Sequence, residues 1–262
     1  MISEMLARIF FNQWMVFFVT NSLFFLIAEL GYRFGQAYHR RNPDVASGDS
    51  GGVQGAVLGL LGLLLGFTFA MAVGRYDARY ALTVNEANSI GTTWLRADFL
   101  PGQQRAEARD LLTRYAELKS LATSTLDQSS EMREIRKEIG GIQRKLWSLA
   151  TKVAADTPTP VIASFITTLN ETIDFDASNL TAMRNRVPAA VWLLLLVVAS
   201  SGAWVSGYGC GLAGLRSTFG QIIFPILIGI VITLISDIDR PQKGVIGINK
   251  EPINNLLESM RE

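Results

Sequence analysis

Four apolar stretches, each long enough to cross a bilayer as a helix, restrict this sequence more than any other feature. A hydrocarbon core about 30 Å thick takes roughly 20 predominantly apolar residues at helical rise. In lipid a spanning segment must satisfy its own backbone hydrogen bonds, so isolated stretches of this kind are expected to be helices. Residues 14–30 form the first, aromatic-rich, with Thr20, Asn21 and Ser22 inside it and Glu29 at its far end. Arg8 is offset by Glu4 and no small-residue cleavage site follows, so the segment reads as retained rather than as a signal peptide. Residues 53–74 carry no charge, and Gly55, Gly59, Gly62 and Gly66 share one helix face, a stripe that admits close helix packing. The third stretch, residues 188–208, opens on a proline suited to a first turn. The fourth, residues 219–236, contains Pro225, which is expected to kink it.

Between the second and third stretches lies a polar connector too long and too patterned for a loop. Met132, Ile135, Ile139, Ile142, Leu146, Leu149 and Val153 alternate three and four apart, the seam of a helix packed on partners. Ala108, Leu111, Leu112, Tyr115, Leu118 and Ala122 mark an amphipathic helix before it, set off by Pro101 and Gly102. After Pro158 and Pro160, Ile162, Phe165, Leu169 and Ile173 share a face. No Pro and only one Gly, Gly91, lies between Gly74 and Leu100, so the second span is expected to run on into water as one helix, and residues 180–186 to feed the third span likewise. The expectation is an all-α membrane protein: four transmembrane helices, with a cytosolic helical bundle inserted between helices two and three. Its parts are residues 1–74 (first helix pair), 75–187 (water-exposed, coiled-coil-like domain), 188–236 (second pair) and 237–262 (cytosolic tail).

Orientation follows from Lys and Arg near the membrane ends. The side holding both termini and the bundle carries Arg8, Arg75, Arg79, Arg184, Arg186, Arg240, Lys243 and Lys250, whereas the other carries Arg33, Arg40, Arg41 and Arg216. The excess places the bundle in the cytoplasm of a cell whose inner membrane holds the chain.

Chemistry is limited by what is missing. One Cys, Cys210, and one His, His39, supply no disulfide and no zinc cluster. Charge is nearly balanced, with 24 Lys and Arg against 23 Asp and Glu, and interleaved, which argues against nucleic acid as a partner. There is no nucleophile elbow and no phosphate-binding loop, so no enzyme, metal or cofactor is expected. Asp174 and Asp176 point to different helix faces and read as solvated. Asp237, Asp239 and Arg240 stand where the fourth span leaves the membrane: a capped exit with an ion pair, or alternatively a cation site or gate. Glu29 reads as interfacial. Arg75 and Arg79, one turn apart, would ring an opening if several copies of their helix met around an axis.

Leu65-Gly66-Phe67, followed by Arg75-Tyr76, resembles the pore-lining second helix of bestrophins. The ending that runs from Asp237-Ile238-Asp239-Arg240-Pro241 to Glu251-Pro252 resembles the closing signature of the bacterial bestrophin-like family of unknown function, and that likeness extends over nearly the whole chain. The resemblance implies a homo-oligomeric, pentameric channel for inorganic anions, with four membrane helices per subunit and both termini inside. It assigns the pore neck to Leu63 and Phe67, with Gly59 standing where bestrophins place a bulky apolar residue. Of the acidic calcium clasp of animal bestrophins only Asp237 and Asp239 remain, so calcium gating does not carry over. A neck of Leu and Phe gates by dewetting and selects no ion, so anion preference falls to Arg75 and Arg79 or to helix amino termini. Two other readings compete: a non-conducting scaffold or signalling protein acting through its helical domain, and a transporter, although the first helix pair is not repeated in the second.

Overall fold

A computed structural model describes residues 13–42, 50–124, 130–214, 216, 219–240, 246 and 249–261. Among them the chain is all-helical, with no strand. The helices are α1 (Gln13–Arg41), α2 (Ser50–Arg96), α3 (Gly102–Ser124), α4 (Ser130–Asp156), α5 (Pro160–Arg184), α6 (Ala189–Leu212), α7 (Phe224–Asp239) and α8 (Glu251–Ser259). A 3-10 turn, Ala97–Phe99, follows α2, and a π-helical turn, Phe219–Ile223, precedes α7. Four helical segments are long and apolar enough to cross a membrane: Gln13–Arg41, Gly51–Phe99, Pro160–Leu212 and Gln221–Asp239. The chain forms two compact units, Met1–Gly74 with Arg186–Ile246, and Arg75–Asn185 with Gly247–Glu262.

α2 runs unbroken through 47 residues, as the absence of Pro after Gly74 predicts, with Gly91 tolerated inside it. At about 1.5 Å per residue it is about 70 Å long, more than twice a hydrocarbon core. Only its uncharged part, residues 53–74, suits lipid, because Arg75, Asp77, Arg79, Glu86 and Arg96 follow.

In the first unit α1 and α6 meet through glycine. A Cβ on Gly31 would stand 2.4 Å from the Trp204 carbonyl oxygen, and one on Gly35 2.3 Å from that of Tyr208. From the other side, a Cβ on Gly207 would come within 2.0 Å of the Ala28 oxygen, and one on Gly211 within 2.2 Å of the Tyr32 oxygen. Lipid tails are as apolar as leucine, so membrane helices gain by close backbone approach rather than by hiding apolar surface. Two small-x-x-x-small pairs, one per helix, provide that approach. Gly229 of α7 makes room in the same way for the buried Asn21 of α1, whose Nδ2 donates to the Phe17 oxygen at 2.8 Å. A π-helical turn runs directly into α7 ahead of Pro225, which stands in the opening turn of that helix.

The second unit has a conventional core. Ile139, Ile142, Leu146, Leu149 and Val153 of α4 are buried against Ala108, Leu112, Tyr115 and Leu118 of α3 and against Ile162, Phe165 and Leu169 of α5. Thr159 caps α5, its hydroxyl accepting the Ile162 N–H at 3.3 Å, with Pro160 in the first turn. Residues 180–186 do not feed α6 as expected. Helix α5 stops at Arg184, Asn185 is extended, and α6 begins only at Ala189. Pro188 explains the break, since the residue before a proline is pushed out of helical geometry. The tail contributes α8, whose Ile253 is fully buried in this core and whose Leu256 lies over Gly91.

Gly207→Ala is therefore expected to lower stability by about 1–3 kcal/mol through overpacking. Gly141→Ala, in the interior of α4 with nothing within 4 Å of its added methyl, should raise it by about 0.5–1 kcal/mol. Thermal melting followed by far-UV circular dichroism distinguishes the two.

Candidate functional site

The lipid-suited half of α2 has two unlike faces. Leu61, Leu65, Thr68 and Ala72 recur at helical spacing and are buried in the first unit. Turned away from them, Leu63 is 54% exposed and Phe67 is 64% exposed. Gly55, Gly59, Gly62 and Gly66 share that outer side, and a Cβ on any of them would meet nothing within 4 Å. The glycines whose added Cβ would collide with backbone of another helix are instead Gly31, Gly35, Gly207 and Gly211, which form pairs four apart in the sequence. Leu63, Phe67 and the four glycines are thus left without cover by the described residues of their own chain, and Val53, Leu60, Phe69 and Met71 are exposed as well.

Arg75 and Arg79 separate. Arg75 is half-buried and its guanidinium donates to Asn185 Oδ1, joining the start of the second unit's α2 segment to the cap of α5. Arg79 is only 1% exposed, among the most buried large side chains described.

Asp237 and Asp239 are both buried. Asp239 Oδ1 accepts the Val187 N–H at 2.9 Å, and Asp237 Oδ2 accepts the Ile246 N–H at 3.1 Å. Each carboxylate therefore ties the end of α7 to another segment of its unit. Arg240 lies within electrostatic reach of Asp239 and Arg186. Among the described residues no three Asp, Glu, His or Cys side chains gather as a metal site. Pro241 of the closing motif lies outside the described residues, as do Arg8 and Lys243. Glu29 pairs with Arg33 at 2.9 Å and with Arg216 at 3.3 Å, and Arg216 also stacks on Tyr32.

A second assembly was not foreseen. In the second unit, four helices converge on a buried polar junction. Lys119 of α3 lies 2.7 Å from Glu86 Oε1 of α2 and 2.7 Å from Asp176 Oδ1 of α5. Gln143 of α4 donates to Asp176 Oδ2 at 2.8 Å, and Asn179 of α5 to Glu86 Oε2 at 2.5 Å. Asp176 is thus no solvated surface group, whereas Asp174 is exposed and bonded to Asn170. The signal lay in position: Glu86, Lys119 and Asp176 fall on or beside stripes whose neighbours are core residues. Burial pushes the Glu86 carboxyl up from its ordinary value, against the pull of Lys119. Burial opposes the charge on Lys119, yet Glu86 and Asp176 together hold it above its usual value. Tyr115, buried beside the junction, is raised well above 10 by burial first and then by Glu86 and Asp176.

A family model for the bestrophin-like domain matches residues 22–253. The chain belongs to the bestrophin-like family. Solved structures share its fold at low identity. A variant of the bacterial bestrophin homologue from Klebsiella pneumoniae is 13% identical with a TM-score of 0.68, covering 93% of this chain and 97% of its own. A second structure of that homologue is 13% identical with a TM-score of 0.63, covering 93% and 95%. A crystal structure described as a membrane protein variant is 12% identical with a TM-score of 0.69, covering 93% and 97%. Comparison with curated proteins gives no match. Four apolar helices and this family make the chain a multi-pass membrane protein.

The junction gives this family member a testable pH dependence. Glu86, Lys119 and Tyr115 all bind their protons more tightly folded than unfolded, so stability falls as pH rises, from about 4.5 upward for Glu86 and above about 10 for the other two. Lys119→Met strands a buried carboxylate and should cost about 3–5 kcal/mol at neutral pH. Because Glu86 then takes up a proton more readily, the cost should shrink in acid. Melting temperature of wild type and variant across pH measures both effects.

Proposed function

We propose that the protein is an oligomeric bestrophin-like channel that conducts small inorganic anions, with Leu63 and Phe67 as its apolar neck. The observation that carries the reading is the uncovered α2 face, where both side chains stand exposed beside glycines with open space around them. Glycines of this kind allow the α2 helices of several copies to approach one axis closely. Leu63 and Phe67, one turn apart, then form successive apolar rings, and a constriction so lined excludes water until its side chains move. The bestrophin-like family and the shared fold support the same arrangement, with five copies as its stoichiometry.

Neutral rings discriminate poorly between ions, so selectivity belongs to fixed positive charge near the mouth. Arg75 follows the apolar half of α2 directly and is held by Asn185, which makes it the candidate. Buried Arg79 supports its own unit instead. Asp237 and Asp239, occupied by backbone N–H groups, fit helix anchoring better than cation binding. The Lys and Arg bias places the helical domain and both termini in the cytoplasm of a bacterial inner membrane.

Purified protein in liposomes should pass chloride, and Leu63→Ala and Phe67→Ala should each raise that flux by widening and wetting the neck. Native mass of the solubilised protein should correspond to about five chains, the stoichiometry the family likeness suggests. Flux unchanged in both variants, or a stable dimer, would count against the channel and favour a scaffold.

A further inference from the structure

Beside the junction in the second unit lies a cavity of about 240 Å³ bounded by α3, α4 and α5. Its size is below the ~300–1,000 Å³ typical of drug-sized sites, so any occupant is small. One wall is polar, made by Lys119, Gln143, Asp176 and Asn179, and every one of these side chains is held by the junction.

Hydrogen-bond accounting shows what that wall can still accept. A carboxamide has two N–H donors. Gln143 spends its nitrogen on Asp176 Oδ2 and, at 3.4 Å, on the Tyr115 hydroxyl. Asn179 spends its own on Glu86 Oε2 and, at 3.4 Å, on the Leu82 oxygen. Both amides are thereby fixed in orientation with their oxygens left over. Asn179 Oδ1 is enclosed, without a partner among the described residues, so the carboxamide oxygen available to the cavity is that of Gln143. Charge points the same way. With Lys119 set against two carboxylates, the ionised junction carries one excess negative charge, so the wall favours a positively charged hydrogen-bond donor.

The rest of the cavity differs in kind. Ile139, Leu180 and Met183 line it with apolar surface. At its edge stands Arg136, exposed and without an ion pair among the described residues. We infer that this cavity binds a small zwitterion, with its ammonium group toward Asp176 and the Gln143 carboxamide oxygen, its short apolar body on Ile139 and Met183, and its carboxylate at Arg136. The inference is independent of conduction and stands or falls on the second unit alone.

Three probes of equal chain length separate the contributions in calorimetric titrations of the full-length protein in detergent: 5-aminopentanoate, pentylamine and pentanoate. The first should bind, pentylamine should bind up to about fivefold more weakly for want of a rim ion pair, and pentanoate should not bind. Arg136→Ala should make the first two equal. Ala122→Leu, which fills the cavity from α3, should abolish binding of both while circular dichroism and melting temperature stay near wild type. Failure of both ammonium probes at millimolar concentration would mean that the cavity holds water only. Pentanoate binding as tightly as 5-aminopentanoate, or binding that survives Ala122→Leu, would equally overturn the inference.

Discussion

Apolar surface that faces lipid has no need of burial, and this difference between the chain's two solvents underlies everything else in the structure. In the second unit Ile139, Leu146, Phe165 and their neighbours share one apolar core of the kind that exclusion from water drives together. In the first unit that force is absent. Helices α1 and α6 hold together because Gly31, Gly35, Gly207 and Gly211 let backbone meet backbone. Helix α2 belongs to both regimes. Its uncharged half follows the lipid rule and its charged half the water rule, without a change in backbone geometry between them.

The buried junction is the unusual element of the water-side core. Burying two carboxylates and an ammonium costs desolvation that apolar residues of the same volume would not incur. Such a set has one property that an apolar contact lacks. Lys119 reaches Glu86 and Asp176 together only at one register of α2, α3 and α5, and Gln143 adds α4 through a bond to the same Asp176. A slide of α2, α3 or α5 by a turn would leave a charge unpaired, and one of α4 would cost Asp176 its bond from Gln143, whereas Leu and Ile could repack. The junction thus fixes the relation of four helices that the regular apolar seam of α4 would permit at several offsets.

Much of this was legible in the sequence, for reasons that particular elements make plain. The four apolar stretches, the α4 seam and the break at Thr157–Pro160 depend on length, period and proline, which are local properties. The uninterrupted α2 was legible as an absence of breakers. What escaped depended on partners far apart in sequence. The span-two glycines looked like packing residues by spacing alone, but spacing does not say whether the neighbour is in the same chain, and the pairs that close the α1–α6 contact lie far apart in it. Asp176 reads from the sequence as a solvated group because charge usually is. Its place in the junction follows from Lys119 and Gln143 reaching it from α3 and α4. Helix α8 was missed because its one buried anchor, Ile253, gives too short a pattern to stand out.

The proposed neck gains a further property from Gly59. That residue stands one turn before Leu63, where the bestrophin resemblance places a bulky apolar side chain, and a Cβ there would meet nothing of its own chain. On the channel reading, successive turns of α2 would then contribute two apolar rings rather than three. The barrier from dewetting grows with the length of the dry segment as well as with its narrowness, so a neck closed only by Leu63 and Phe67 is shorter and easier to wet. Glycine at the third turn also lets neighbouring α2 helices draw nearer at that level. Narrowing there would come from backbone approach rather than from side chains that can rotate away, and the movable part of the gate would be confined to Leu63 and Phe67.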